Sequence, residues 1–287
     1  MSHPLTPASV APPVRTAPDR PVLVHSPGAR VVRAPLPRAS ATPVARPAAD
    51  LEIAIPAYNE AARLPLTLRH TVEYLREQPW RSRVVVVDNG SSDGTAEVVR
   101  AHARASDDHV PVDLVGCARP GKGAAVRRAL LSSRSRFVGF FDADLATPVE
   151  TLATAMRHLE AGAAAVIGSR HAPGARFVQA QPAGRRLGGA AFRLMARSLV
   201  RGVHDTQCGF KFFERHAVTQ ALVTCRTTGF AFDVELLRQL QRAGLDIVEV
   251  PVAWSHADES SFSPLRDGLA SFGAVLRMQR SATGRAS

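Results

Sequence analysis

From Leu51 onward, short runs rich in valine, isoleucine and phenylalanine alternate with longer stretches of helical periodicity, and this alternation restricts the possible folds more than any other feature. The runs are LEIAI at 51–55, RVVVVD at 83–88, VDLVG from 112, FVGFF from 137 and AAVIGS from 164. A strand followed by a helix that carries the chain back joins its successor in parallel. The pattern therefore predicts an α/β fold, a mainly parallel central sheet flanked by helices.

Leu64, Leu68, Val72 and Leu75 mark the first helix, their spacing putting one apolar face on the sheet. After FVGFF, Thr147-Pro-Val-Glu150 has the form of a capping box with proline at the first helical position. Val149, Leu152, Met156 and Leu159 then share a face, and Gly162 stops the helix. Further helices are expected at about 185–201 and 233–243, with DTQCGFKFF extended between them. Leu265, Leu269, Phe272 and Leu276 mark a last amphipathic helix at about 264–280, with Arg266, Arg277 and Arg280 nearby. It is expected to pack on the domain, and its pattern would also suit a membrane surface.

Composition draws the boundaries. Residues 1–50 hold 11 of the 21 prolines and have neither periodicity, so this Pro/Ala/Arg-rich tail is expected to be disordered and 51–280 to form one domain. No stretch approaches the roughly 20 apolar residues of a spanning helix, and the start lacks a signal-peptide pattern. A cytoplasmic chain, at most peripheral at the membrane, is expected. Cys117, Cys208 and Cys225 are odd in number without metal-ligand spacing and read as reduced thiols. The formal charge of +11 is scattered instead of blocked and by itself chooses no partner; nucleic acid is not among the expected ones.

In parallel α/β sheets, ligands bind outside the carboxyl ends of the strands. The first strand ends in Pro56-Ala-Tyr58-Asn59-Glu60, the second in Asp88-Asn89-Gly90-Ser91-Ser92-Asp93-Gly94-Thr95, and the fourth in Asp142-Ala143-Asp144. An alternating chain would send Asp142 and Asp144 to the same side, where they repel unless a cation intervenes. Mg²⁺ or Mn²⁺ held by these two carboxylates and by diphosphate oxygens relieves that repulsion and neutralises charge on a leaving diphosphate. Asp88, at a strand end, suits the ring N–H of a nucleotide base, while Asp93 is a candidate helix cap. Gly121-Lys122-Gly123 opens another helix and suits a phosphate, although a motif this short carries little by itself.

Taken in order, IPAYNE, VVVVDNGSSDGT, GKGAAV, FFDADLATP, VIGSR, DTQCGFKFF, FAFDVELL and EVPVAW resemble glycosyltransferase family 2, with its GT-A fold. Within that family they are most similar to the dolichyl-phosphate glucosyltransferase and polyprenyl-phosphate sugar synthase group. The resemblance covers about 51–280. It implies an inverting transfer in which Pro56, Tyr58, Glu60 and Asp88 contact the nucleoside, Asp142 and Asp144 hold the metal diphosphate, and Lys122 assists near the donor. It also implies that Arg170, with Arg185 or Arg186, binds the acceptor phosphate, as paired guanidinium forks suit. Asp205 resembles the family's general base or acceptor-positioning carboxylate, and positioning comes first because a phosphate acceptor is already mostly deprotonated near neutral pH. Gln207, Lys211, Asp233 and Glu235 are supporting candidates, Lys211 on the acceptor phosphate. Ala146 stands where mannosyl enzymes of the group often offer glutamine, which favours a glucosyl type.

The expected reaction is transfer of a sugar from a UDP-sugar, UDP-glucose foremost, to a polyprenyl or dolichyl phosphate, giving a β-linked product. A soluble transferase acting on a small metabolite or cell-envelope precursor is the second reading. A non-catalytic binder of sugar nucleotides or nucleic acid is the third.

Overall fold

The computed structural model describes residues 49–105, 109–177, 183–255 and 266–283, without the side chains of 183–187, 266–267 and 281–283. The proline-rich tail lies outside the described residues up to residue 48. The elements run β1 (Leu51–Ala57), α1 (Leu64–Arg76), β2 (Ser82–Asp88), α2 (Thr95–Ala105), β3 (Val112–Gly116), α3 (Lys122–Ser132), β4 (Phe137–Phe141) and α4 (Thr151–Glu160). They continue with β5 (Ala165–Ser169), β6 (Arg176–Phe177), α5 (Ala183–Arg197), β7 (Phe210–Glu214), α6 (Arg215–Thr224), α7 (Phe232–Arg242), β8 (Ile247–Pro251), β9 (Ala253–Trp254) and α8 (Arg266–Thr283).

Seven strands form one sheet in the order β3-β2-β1-β4-β7-β5-β8, and β6 pairs with β9 apart from it. Every pairing in the large sheet is parallel except those of β7, which runs antiparallel to β4 and β5. Alternation of side chains explains the four-valine run of β2. Val84 and Val86 join Ile53, Ile55, Leu64, Leu68 and Leu152 on one face, while Val85 and Val87 join Ala54, Phe140, Val126 and Leu237 on the other. Full burial of each such side chain contributes about 1.5–3 kcal/mol relative to exposure.

The topology brings the polar clusters together. β2, β1 and β4 are adjacent and parallel, so their carboxyl ends share one edge. β5 is antiparallel to the same β7 as β4 and therefore ends at that edge too, while β7 begins there.

Two expectations require correction. The capping box does not form: α4 starts at Thr151, and Pro148 to Glu150 make tighter turns through bonds such as Thr151 N–H to Pro148 O (3.1 Å). The buried Thr147 hydroxyl lies 3.6 Å from Cys208 Sγ and does not cap the helix. Gly162, at φ 104°, does end the helix, as a residue without Cβ can. In α8 the packed residues are Ser271, Phe272, Ala274 and Val275, whereas Leu269 and Leu276 face outward. The helix thus packs on the domain along a face turned from the expected one, with Phe272 edge-on to Phe192 of α5. Strand β8, helix α6 and the small β6–β9 pair were not expected.

Candidate active site

At the carboxyl ends of β1 and β2, the following loops hold each other. Asn59, in the left-handed region at φ 56°, accepts from Ser92 N–H at 2.9 Å, and its own N–H donates to Ser91 Oγ at 2.9 Å. Asp93 accepts from the N–H groups of Ala61 and Thr95, so it caps α2 as expected and ties down the neighbouring loop. Asn89 accepts from Gly121 N–H (2.7 Å) and donates to the carbonyls of Cys117 and Arg119, fixing the approach to α3. Between these clamps lie half-buried Pro56 and Asp88, exposed Tyr58 and buried Glu60. Asp88 accepts from Ser91 N–H through one oxygen, and its second has no hydrogen-bond partner among the described residues. Burial raises the Glu60 carboxyl above its ordinary range, opposed by Arg63 at 2.7 Å.

The acidic turn is reached differently from the expectation. β4 stops at Phe141, and Asp142 to Leu145 form a turn with Leu145 at φ 49°, so a turn and not strand alternation brings the two carboxylates together. Thr67 on α1 donates to Ala143 O (2.5 Å) and anchors this turn. Asp142 lies against Gly209, where a methyl group would overlap its carboxylate, and its N–H donates to Gly209 O at 3.0 Å. Asp144 accepts from Ala146 N–H (3.0 Å). Burial, then the charge of Asp142, raises the Asp144 carboxyl above the usual range, opposed by its bond from Ala146 N–H and by Lys122 and Arg63.

Lys122, first residue of α3, sits 2.5 Å from Asp142 Oδ1 and close to the rings of Phe140 and Phe230. Burial opposes its charge, yet Asp142 and Asp233 together keep the ammonium above its ordinary range. The amino terminus of α3 is itself covered. Ala124 N–H donates to Thr228 O at 3.0 Å, and Glu235 holds that loop through the N–H groups of Arg226 and Thr227. What GKG offers a phosphate is therefore the Lys122 side chain. No group of three or more His, Cys, Asp or Glu placed to hold a metal occurs among the described residues. An ion at Asp142 and Asp144 would need ligand oxygens, which is the arrangement diphosphate-bound Mg²⁺ favours.

Across β7, Arg170 follows β5 and grips Asp205 with a fork: Nε to Oδ2 at 2.7 Å, Nη2 to Oδ1 at 2.9 Å, and its N–H to Oδ2 at 3.1 Å. Gln207 N–H donates to Asp205 Oδ1 at 3.0 Å. Burial would raise the Asp205 carboxyl, but the guanidinium outweighs it and holds the group well below the carboxylate range. Saturated with donors, Asp205 is a poor proton acceptor and a firm orienting group. Glu249 of β8 holds Asp205 from behind, accepting its N–H (3.0 Å), the His204 N–H (2.9 Å) and lying 2.6 Å from His204 Nδ1. Arg193 and Arg197 of α5 and His171 share the field of Asp205 and Arg170. Burial, with Arg170 and Arg197 nearby, lowers the Arg193 pKa, opposed by Asp205.

Lys211 does not join the acceptor side. It is fully buried, 2.8 Å from Asp233 and 2.6 Å from Cys208 O, because β7 turns it into the core. Arg185 and Arg186 fall in α5, where their side chains lie outside the described ones. Glu249, Gly209 and Arg193 escaped the sequence reading. The signal for Glu249 was a carboxylate between valines in an otherwise apolar run. The three cysteines are free and buried, as expected, and burial pushes the Cys208 thiol up to about 11.

A mainly parallel sheet whose strand ends gather a half-buried carboxylate, an acidic turn with a lysine, and an arginine fork defines a GT-A-type transferase. The chain matches the family described as glycosyl transferase family 2 over residues 52–222. It is 30% identical over 240 residues to dolichyl-phosphate beta-glucosyltransferase of Dictyostelium discoideum, covering 80% of this chain and 73% of that one. It is 33% identical over 232 residues to the protein of that name in Homo sapiens, covering 76% and 71%. Among solved structures, glucosyl-3-phosphoglycerate synthase from Mycobacterium tuberculosis, in complex with Mn²⁺, UDP-glucose and phosphoglyceric acid, superposes with a TM-score of 0.61. It is 20% identical and covers 80% of this chain and 79% of that one, a likeness of fold. The chain belongs to glycosyltransferase family 2.

Proposed function

We propose that this chain transfers glucose from UDP-glucose to a polyprenyl or dolichyl phosphate with inversion, giving a β-linked lipid phosphosugar. The observation that carries the reading is the forked Arg170–Asp205 pair at the same sheet edge as Asp142, Asp144 and Lys122, an anion receptor facing a diphosphate receptor. The names of the relatives supply the sugar and the lipid.

In this reading Asp88 accepts the base N–H, with Pro56, Tyr58 and Glu60 around the nucleoside. Asp142 and Asp144 hold Mg²⁺ or Mn²⁺, which when bound supplies Lewis-acid stabilisation of the diphosphate. Lys122 adds a cation beside Asp142. Arg170, kept charged and aimed by Asp205, takes the acceptor phosphate, whose oxygen needs no base to attack. Positioning and electrostatic stabilisation of the leaving group then carry the rate.

Among the described residues no helix is long and apolar enough to cross a membrane. Outward-facing Leu269 and Leu276, near Arg277 and Arg280, suit peripheral contact with an anionic bilayer, here taken to be its cytoplasmic face.

The test is a donor and acceptor screen. Radiolabelled UDP-glucose, GDP-mannose and UDP-N-acetylglucosamine are incubated with Mn²⁺ and either polyprenyl phosphate or soluble phosphate monoesters, and label is counted in the lipid phase and in aqueous products. Label from UDP-glucose is expected there. Label transferred only to aqueous phosphate acceptors would refute the lipid reading.

A further inference from the structure

The turn after Arg170 builds a small surface that the roles above leave unused. Ser169 Oγ accepts from the N–H groups of His171 and Ala172, Gly174 adopts φ 91°, and the chain returns as β6 beside β9. Phe177 and Trp254 are register partners there, with ring centroids 5.9 Å apart and nearly perpendicular. His171 stands 5.7 Å from Phe177, and the Arg170 guanidinium lies over Trp254 at 5.6 Å. Trp254 is buried, whereas Phe177 is 45% exposed on a strand of only two residues. The lip is also tethered to the acidic turn, because Ser255 N–H donates to Ala146 O at 3.0 Å and Ala146 N–H donates to Asp144.

A cation and an exposed aromatic ring thus share one lip at the mouth of the site. Two of the Arg170 donors, Nε and Nη2, are taken by Asp205, and Nη1 has no partner among the described residues. Arg193 and Arg197 add positive charge near Asp205, whose carboxylate is already engaged by Arg170. An ordinary soluble phosphate would use the cations and leave the ring in water. An amphiphile, an anionic phosphate joined directly to an apolar chain, would use both.

The geometry points to the Phe177–Trp254 lip as the subsite for the first isoprenoid unit of the acceptor, its phosphate on Arg170 and its chain laid across the exposed face of Phe177. Resting on the reading of a prenyl phosphate acceptor, this makes Phe177 the residue that favours lipid-linked over soluble phosphates. An apolar contact of this size is worth about tenfold or more in discrimination.

The experiment compares wild type, Phe177→Ala and Phe177→Leu with UDP-glucose, Mn²⁺ and two acceptors, farnesyl phosphate and methyl phosphate, recording kcat/KM for each. For Phe177→Ala, the farnesyl to methyl ratio is expected to fall about tenfold through the farnesyl KM, with the KM for UDP-glucose unmoved. Phe177→Leu should restore most of the ratio. If wild type uses farnesyl phosphate and Phe177→Ala keeps the same ratio, the lip is overturned while the acceptor reading stands. If wild type uses methyl phosphate equally well or farnesyl phosphate not at all, the acceptor reading fails and the lip with it.

Discussion

Replacing Asp205 by Asn tests whether the buried fork acts as a unit. The carboxylate accepts from Arg170 N–H, Nε and Nη2 and from Gln207 N–H, and it is wholly inaccessible. Removing one partner of a buried pair costs about 3–5 kcal/mol, chiefly because the other charge is stranded. The Arg170 side chain retains 18% exposure, so water relieves part of that penalty and a loss near 3 kcal/mol is expected. Domains are stable by about 5–15 kcal/mol, so the variant should remain folded. Adding Arg170→Met removes the stranded charge, and the double variant should recover at least half of the loss while remaining inactive. Urea denaturation at constant slope measures Asp205→Asn, Arg170→Met and the double variant. The pH dependence has a definite sign. Asp205 is held below its unfolded value of about 3.9, so its contribution is present above that pH and is lost as pH falls through the lower native value. The difference between wild type and Asp205→Asn should therefore be flat from pH 5 to 8 and shrink only below about pH 4. A double variant that loses the sum of the two single losses would show the residues to be independent and refute the argument.

Burial and Asp142 raise the Asp144 carboxyl, so the folded state binds the extra proton and stability falls as pH rises through that titration. Mn²⁺ should offset this, and thermal shifts with the metal should grow with pH in wild type and vanish in Asp144→Asn, which is also expected to abolish transfer; an equal shift in both would place the ion elsewhere. Gly209→Ala puts a methyl group into the Asp142 carboxylate, and a displacement of about 1 Å should cost on the order of 10²-fold in kcat. Retained activity would mean that Asp142 needs no fixed place. Glu249→Gln keeps the size of the group but gives one N–H of the His204–Asp205 pair an amide nitrogen to face. The acceptor KM should rise several-fold with the donor KM unchanged, and an equal change in both would make Glu249 merely structural.

The legible parts of this protein were those governed by short-range rules. Strand runs and turn chemistry gave β1 to β5, and the rule for parallel sheets put their polar ends on one edge, as the topology bears out. What was hidden depends on contacts distant in sequence. Thr147 has the residues of a capping box, but its hydroxyl finds Cys208, 61 positions away, and the helix starts later. Leu269 and Leu276 satisfy helical spacing, but α8 buries Ser271, Ala274 and Val275 instead, a choice set by the helices it packs against. Lys211 looked like a phosphate ligand because its strand was read without a direction. The antiparallel insertion of β7, opposite Phe140, turns the lysine into the core.

That insertion also bears on the chemistry. β7 lies between the turn of Asp142 and Asp144, with Glu60, Arg63 and Lys122 near it, and the end of β5, where Arg170, Arg193 and Arg197 lie near Asp205 and Glu249 holds Asp205 from behind. In the proposed reaction a cation with its diphosphate would meet the carboxylates on one side, and a phosphate monoester the arginines on the other. A double displacement would require a protein nucleophile between them. Asp205 is saturated by four donors, and the Cys208 thiol, pushed up to about 11, stays protonated near neutral pH. In the proposed reaction the attacking group is therefore the acceptor phosphate, already anionic near neutral pH, and a single displacement from the side opposite the departing diphosphate would invert the carbon.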